Sequence, residues 1–277
     1  MSACVGIVAG SGQFPFMVAD AAREAGMAVA VAGLHGNGDP ALSGRVDAWK
    51  EFKLGQLASL IRFFKDNRVS TVVFAGGVNK PRALDIRPDF RAVKLMLRLK
   101  GAGDDSILRA VAGEIESEGM TVASPLDLLP ALATPRGVLT RREPDEAQWE
   151  ELRHGWNAAK AMGALDVGQA VAVRSGMILA VEAIEGTDAM ISRAGELAHG
   201  SFTVVKVAKP GQDLRMDMPA AGLDTIRVMA EAGARCLGLE AGSSVLFDRD
   251  AALALAGDKG IAVVGLERGD GFVYEPA

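Results

Sequence analysis

The residues of this sequence best suited to chemistry stand in two glycine-rich turns and three charged clusters. Gly10, Ser11 and Gly12, followed by Gln13, close an apolar run in VAGSGQFP. Glycine lets a backbone approach a ligand closely, and the amino end of a following helix attracts phosphate oxygens. The spacing matches neither a Walker loop nor a full dinucleotide fingerprint. The second turn is Gly76-Gly77-Val78-Asn79-Lys80-Pro81. Lys80 would offset phosphate charge there, and Asn79 would read a ring edge or a sugar hydroxyl. In the third segment, Gly103-Asp104-Asp105-Ser106, adjacent carboxylates suit a divalent cation or an attacking water, and equally suit a helix start.

The second half is richer in paired charge. Glu185, Thr187 and Asp188 follow an apolar run, and Arg193 can grip phosphate through its planar fork. Residues 206–219, KVAKPGQDLRMDMP, alternate Lys206, Lys209 and Arg215 with Gln212, Asp213 and Asp217. Asp224 stands just after Gly222 at a helix start, where it can cap the helix or project into a cleft. An ordinary βα turn, a solvated charged loop or a helix cap would use the same residues. His35, His154 and His199 are scattered, with neither metal-ligand spacing nor a triad partner, and Trp49, Trp149 and Trp156 read as packing residues.

The elements that must carry these loops alternate. Cys4–Ala9 is an apolar strand, residues 14–26 have helical spacing, and residues 27–33 form the next strand. A helix over 55–67, a strand over Thr71–Ala75, helices over 90–99 and 106–119 and a strand over 120–123 complete an amino-terminal doubly wound α/β domain. The pattern breaks at a Pro/Gly turn over 134–137, and the polar stretch to Trp149 is taken as the region between domains. The expected domains are thus 1–134 and 135–277. A helix over 146–162, strands over 169–173, 177–183 and 202–207, and a helix over 224–234 follow. Strands over 236–239 and 261–266 flank a last helix, giving a mixed α/β second domain with more antiparallel pairing at its start.

Composition narrows the function classes. Lys+Arg 30 against Asp+Glu 35 gives a net charge of −5, which leaves no whole-chain footprint for nucleic acid. With 49% hydrophobic residues the chain can bury a core, yet no stretch reaches the roughly 20 continuous apolar residues that span a bilayer. No signal peptide opens it, so a cytoplasmic protein is expected. Cys4 and Cys236, each in an apolar run, read as buried free thiols.

Taken together, VAGSGQFP, GAGDDSILRAV, VEAIEGTDAMISRA, KVAKPGQDLRMDMP and the run from GLDTI to LGLEAGSSVLFDRD resemble the LpxI family of UDP-2,3-diacylglucosamine pyrophosphatases along essentially the whole chain. The resemblance implies magnesium-dependent hydrolysis of UDP-2,3-diacylglucosamine to UMP and 2,3-diacylglucosamine 1-phosphate in lipid A synthesis, by water attack at the uridine-side phosphorus. It also implies a nucleotide-binding first domain, a lipid-binding second domain, a homodimer, and peripheral contact with the cytosolic face of the inner membrane. On these residues, Gly10, Ser11, Gly12, Gln13, Gly76, Gly77, Asn79, Lys80, Asp104 and Asp105 would meet the nucleotide side. Glu185, Thr187, Arg193, Gln212, Asp213 and Arg215 would surround phosphate and sugar. Asp224 would be the leading catalytic carboxylate, with Asp188, Asp217 and Lys209 beside it, and the three aspartates would hold Mg2+. The competing readings are a hydrolase of a non-lipid nucleotide sugar and a non-catalytic nucleotide- or lipid-binding module.

Overall fold

A computed structural model describes residues 3–78, 87–99, 104–269 and 272, without the side chains of Asp104 and Asp105. The chain divides into two compact units, residues 1–130 with Arg215–Asp217, and Ala131–Leu214 with Met218–Ala277. The passage at Pro130 and Ala131 precedes the boundary expected at Thr134.

Unit 1 is built on five parallel strands: β1 (Cys4–Ala9), β2 (Ala28–Leu34), β3 (Ala48–Phe52), β4 (Thr71–Ala75) and β5 (Thr121–Ala123). Their spatial order is β3-β2-β1-β4-β5, so the winding reverses between β1 and β4. Continuous burial of β1 explains its unbroken apolar run, because both faces are covered. On one face lies α1 (Phe14–Glu24), whose Phe16, Val18, Ala19 and Ala22 enter the core. The other face carries α2 (Leu57–Asp66), α3 (Phe90–Arg98) and α4 (Asp104–Glu116). Helix α2 shows why it docks: Leu57, Leu60, Ile61 and Phe64 fall on one stripe and are all buried. Burial of each such side chain contributes about 1.5–3 kcal/mol relative to exposure. Strand β3 has no counterpart among the expected elements, because it is an edge strand in which exposed Lys50 and Glu51 interrupt the apolar pattern. Helix α4 begins at Asp104, two residues before its expected start, and the two aspartates occupy its first turn.

Unit 2 opens with β6 (Gly137–Val138), which pairs antiparallel with β13 (Ala262–Leu266). The polar stretch 134–149 therefore is not a linker. Thr140 Oγ1 accepts from Val263 N at 3.0 Å, and Arg142 donates to the Gly260 carbonyl. Asp145 caps α5 (Glu146–Ala164) in a reciprocal box with Gln148. The stretch is polar because it is a sheet edge and a helix cap. The sheet order is β6-β13-β11-β9-β7-β8, with β7 (Ala170–Arg174), β8 (Met177–Val181), β9 (Phe202–Lys206) and β11 (Ala234–Glu240). Strands β9, β11 and β13 are parallel, whereas β7 runs antiparallel to both of its neighbours. Ser175 and Gly176, both at positive φ, close the β7–β8 hairpin. Helix α5 covers one face through Leu152, Trp156 and Ala159. The other face is covered by α6 (Thr187–Ala198), α7 (Leu223–Ala232) and α8 (Arg249–Asp258). Two short parallel strands, β10 (Ala220–Ala221) and β12 (Val245–Leu246), lead into α7 and α8. Among the described residues no helix is long and apolar enough to cross a membrane.

Candidate functional site

In unit 1 the two glycine turns leave neighbouring strands at their carboxyl ends, at the reversal point where open α/β sheets bind ligands. They are tied backbone to backbone. Gly10 N donates to the Ala75 carbonyl at 2.8 Å, Ser11 N to the Gly77 carbonyl at 2.7 Å, and Gly77 N to the Ser11 carbonyl at 3.2 Å. Ser11 Oγ adds a bond of 3.0 Å to the same Gly77 carbonyl. Only glycine permits this approach: a Cβ on Gly10 would lie 2.3 Å from the Gly77 carbonyl oxygen, and Gly76 sits at φ +90°. Gly12 and Gln13 are exposed beyond the crossing, where α1 begins without a side-chain cap. The crossing thus aims the positive end of α1 outward, a suitable place for an anion. Asn79 and Lys80 lie outside the described residues, as do the side chains of Asp104 and Asp105.

In unit 2 the carboxyl ends of β8, β9 and β11 share one edge of the sheet with the start of β7. A polar relay occupies it. Lys206 Nζ donates to Thr187 Oγ1 and to the Ala220 carbonyl, each at 2.8 Å. Thr187 Oγ1 in turn donates to Glu182 Oε1 at 2.5 Å, and Glu182 Oε2 accepts from Gln169 N at 3.2 Å. Lys206 and Glu182 are buried, so the relay locks the starts of α6 and β10 together. Helix α6 follows the carboxyl end of β8 and α7 follows that of β9 through β10, so both start at this edge, with Asp188 and Asp224 in their first turns. The Asp224 side chain is 83% exposed and accepts from Arg227 at 2.6 Å.

A second buried group lies beside it. Glu240 Oε2 accepts from Lys160 Nζ at 2.7 Å and from Ala208 N at 2.8 Å, while Lys160 Nζ also donates to the Ala208 carbonyl at 2.9 Å. Both polar groups of Ala208 are thereby clamped at the root of the basic loop. Ser244 Oγ donates into this corner, where it meets Thr134 Oγ1 and the Glu240 carbonyl, and both hydroxyl residues are buried. Sequence reading gave Lys160, Glu240, Ser244 and Thr134 no role, because the pair is separated by 80 residues and neither partner stands out alone.

The expected phosphate-binding cations are engaged with carboxylates. Arg193 meets Glu185 at 2.6 Å and the Val181 carbonyl at 2.9 Å, and Lys209 meets Asp166 at 2.6 Å. Gln212 Oε1 accepts from Lys209 N at 2.8 Å, and Asp213 follows it in the same loop. The Glu185 carboxyl is held below its usual range, first by its own backbone amide and then by Arg193. The Thr187 hydroxyl is already engaged on two sides, donating to Glu182 and accepting from Lys206. Arg215 and Asp217 belong to unit 1, where Arg215 pairs with Glu116 at 2.8 Å and donates to the Val122 carbonyl. Among the described residues no three His, Cys, Asp or Glu side chains form a group placed to hold a metal ion.

Apolar side chains join the polar edge of unit 2. Leu165 is 72% exposed and Ile184 82%, and Val167 is also exposed. They flank Gly168 and Glu182, which meet across the edge. A separate cavity of about 310 Å³ beside α7 and α8 is lined by Arg227, Ala230, Glu231, Leu255 and Lys259.

Residues 4–132 match the LpxI N-terminal domain family, and residues 135–264 match the LpxI C-terminal domain family. Over 274 residues the chain is 33% identical to a protein of Caulobacter vibrioides named UDP-2,3-diacylglucosamine pyrophosphatase LpxI. That alignment covers 95% of this chain and 97% of the relative.

Proposed function

Because the chain belongs to the LpxI family, we propose that it is a UDP-2,3-diacylglucosamine pyrophosphatase of lipid A biosynthesis. The near full-length identity to a pyrophosphatase of that name carries the reading. In the proposed reaction a water oxygen bonds to the uridine-side phosphorus and the bond from that phosphorus to the bridging oxygen breaks. The bridging oxygen leaves with 2,3-diacylglucosamine 1-phosphate, and UMP keeps the oxygen of water.

The local geometry supports this chemistry. The crossed glycine turns and the open start of α1 suit the nucleotide side. Exposed ion pairs such as Arg193–Glu185 are worth about 0–1 kcal/mol, so a diphosphate can replace the carboxylate at small cost. Arg193 is the cation that this exchange would bring to the phosphates, where it stabilises charge on the leaving group, and Lys209, only 13% exposed in its pair with Asp166, is the second cation we assign there. Exposed Leu165, Val167 and Ile184 beside the polar edge suit the glucosamine's acyl chains. Asp224, exposed at a helix start, is the carboxylate we assign to orienting the water.

The donor set suits magnesium only in its ordinary arrangement, one or two carboxylates completed by substrate phosphates, for which Asp224 and Asp188 are the protein ligands we propose. When bound, the ion would neutralise charge on the transferring phosphoryl group. A homodimer, and peripheral contact with the membrane that holds so amphipathic a substrate, complete the proposal.

The test is hydrolysis of UDP-2,3-diacylglucosamine in 18O-labelled water. Label in UMP is expected. Label in the lipid phosphate would move the attack to the other phosphorus, and absence of UMP would refute the activity. Asp224→Asn should lower turnover by about 10²–10⁴. Its exposure should keep stability within about 0.5 kcal/mol of the parent.

A further inference from the structure

We infer that α3 is a docking face for an anionic lipid bilayer. Of its nine residues, FRAVKLMLR, only Ala92 and Leu95 are buried. Phe90 is 86% exposed, Leu97 62%, Met96 54% and Val93 39%. Phe90, Val93 and Leu97 stand at i, i+3 and i+7 and so share one stripe, with Met96 at its flank. Among the described residues, none of these four large apolar side chains enters the core of unit 1.

Charge identifies the occupant. Residues 87–100 contain five cations, Arg87, Arg91, Lys94, Arg98 and Lys100, against the single acid Asp89, in a chain whose net charge is −5. Asp89 is turned into the fold, accepting from Ala92 N at 3.0 Å and from Ala58 N at 2.7 Å. Arg91 also turns inward, to Glu114 and Glu118. Arg87, Lys94 and Arg98 remain exposed, and the Arg98 guanidinium is 3.9 Å from its carboxylate neighbour Glu114 while its side chain stays 60% exposed. An apolar stripe edged by cations offers the two signals that hold a helix at a membrane surface, acyl contact and attraction to lipid phosphate. A second copy of the chain fits less well, because a two-fold pairing through α3 would set Lys94 and Arg98 against their own like charges.

This names a surface for the membrane contact proposed above, and the helix carries it independently of the reaction. The full chain is sedimented with vesicles of phosphatidylcholine containing phosphatidylglycerol, and with vesicles of phosphatidylcholine alone, both free of substrate. Binding to the anionic vesicles is expected, and it should weaken as salt rises. Lys94→Gln with Arg98→Gln should lower affinity roughly thirtyfold. Phe90→Ser with Leu97→Ser should lower it at least as far, while both pairs leave hydrolysis of detergent-dispersed substrate unchanged. Absence of binding by the parent chain, or binding indifferent to both variants, overturns the inference. So does conversion of a dimer to a monomer by Phe90→Ser with Leu97→Ser in size exclusion with light scattering, since the face would then join two copies. Vesicle binding without hydrolysis would leave the docking face standing and remove the proposed reaction; hydrolysis without vesicle binding would do the reverse.

Discussion

Lys160→Met is the most informative perturbation of unit 2. The Lys160 and Glu240 side chains are 11% and 12% exposed and meet at 2.7 Å. Removing the lysine leaves a buried carboxylate with Ala208 N as its remaining donor in the clamp, and leaves the Ala208 carbonyl without the ammonium. Breaking one side of such a pair costs about 3–5 kcal/mol, a large share of the roughly 5–15 kcal/mol that holds a domain folded. Adding Glu240→Gln removes the stranded charge, and the glutamine oxygen can still accept from Ala208 N. The double variant should then lose only about 1–3 kcal/mol, the cost of one unsatisfied carbonyl. The second substitution should therefore restore stability, a coupling that independent residues do not show. Urea denaturation followed by tryptophan emission measures it, with Trp156 well placed as reporter because Lys160 Nζ lies 4.7 Å from its ring centroid. Additive losses, or a loss below about 1 kcal/mol for Lys160→Met, would show that the pair is not acting as a buried clamp.

Further expectations concern both units. Gly10→Ala places a methyl group 2.3 Å from the Gly77 carbonyl oxygen; it should part the two turns and raise KM for the nucleotide substrate in steady-state assays. The Glu118 carboxyl is lowered to about 2, first by its hydrogen bond from Lys65 and then by Arg91. Its folded value lies below the ordinary carboxylate value of 4.5, so its contribution is complete above that pH and is lost as pH falls toward 2. Acid titrations of the parent and Glu118→Gln should converge through that window, and a stability difference that stays constant across it would refute the assignment. Burial pushes the Cys236 thiol up to about 12 and also raises Cys4. Maleimide at pH 8 should therefore leave both unlabelled until the protein is unfolded.

Local chemistry is what made much of this fold legible. The glycine turns after β1 and β4 could be recognised because each follows an apolar run, and the structure joins them strand to strand. The second sheet's mixed start follows from three short strand candidates with no helix long enough for a crossover read between the first two. By contrast β3 was missed because an edge strand buries little and tolerates Lys50 and Glu51 outward. The stretch 134–149 misled because edge strands and helix caps are as polar as linkers. Within the site, Asp224 is readable as a helix-start residue, whereas Asp188 reads only as a loop residue after a strand and the clamp of Lys160 and Glu240 is not legible at all. Its meaning exists only once α5 and β11 have packed, and no period in either segment announces it.

The assignment of Arg215–Asp217 to unit 1 bears on how the protein is made. Met216 packs against the cluster under α2 and α4, and Arg215 pairs with Glu116. Those residues leave the ribosome 85 positions after Pro130, a delay of roughly 4–17 s at ordinary rates of synthesis. The first-made unit must wait, with part of its surface unfinished, for a segment encoded deep in the second. A chain truncated after Pro130 should consequently be less stable than unit 1 within the whole protein, and a synthetic peptide spanning 206–219 should restore part of the difference.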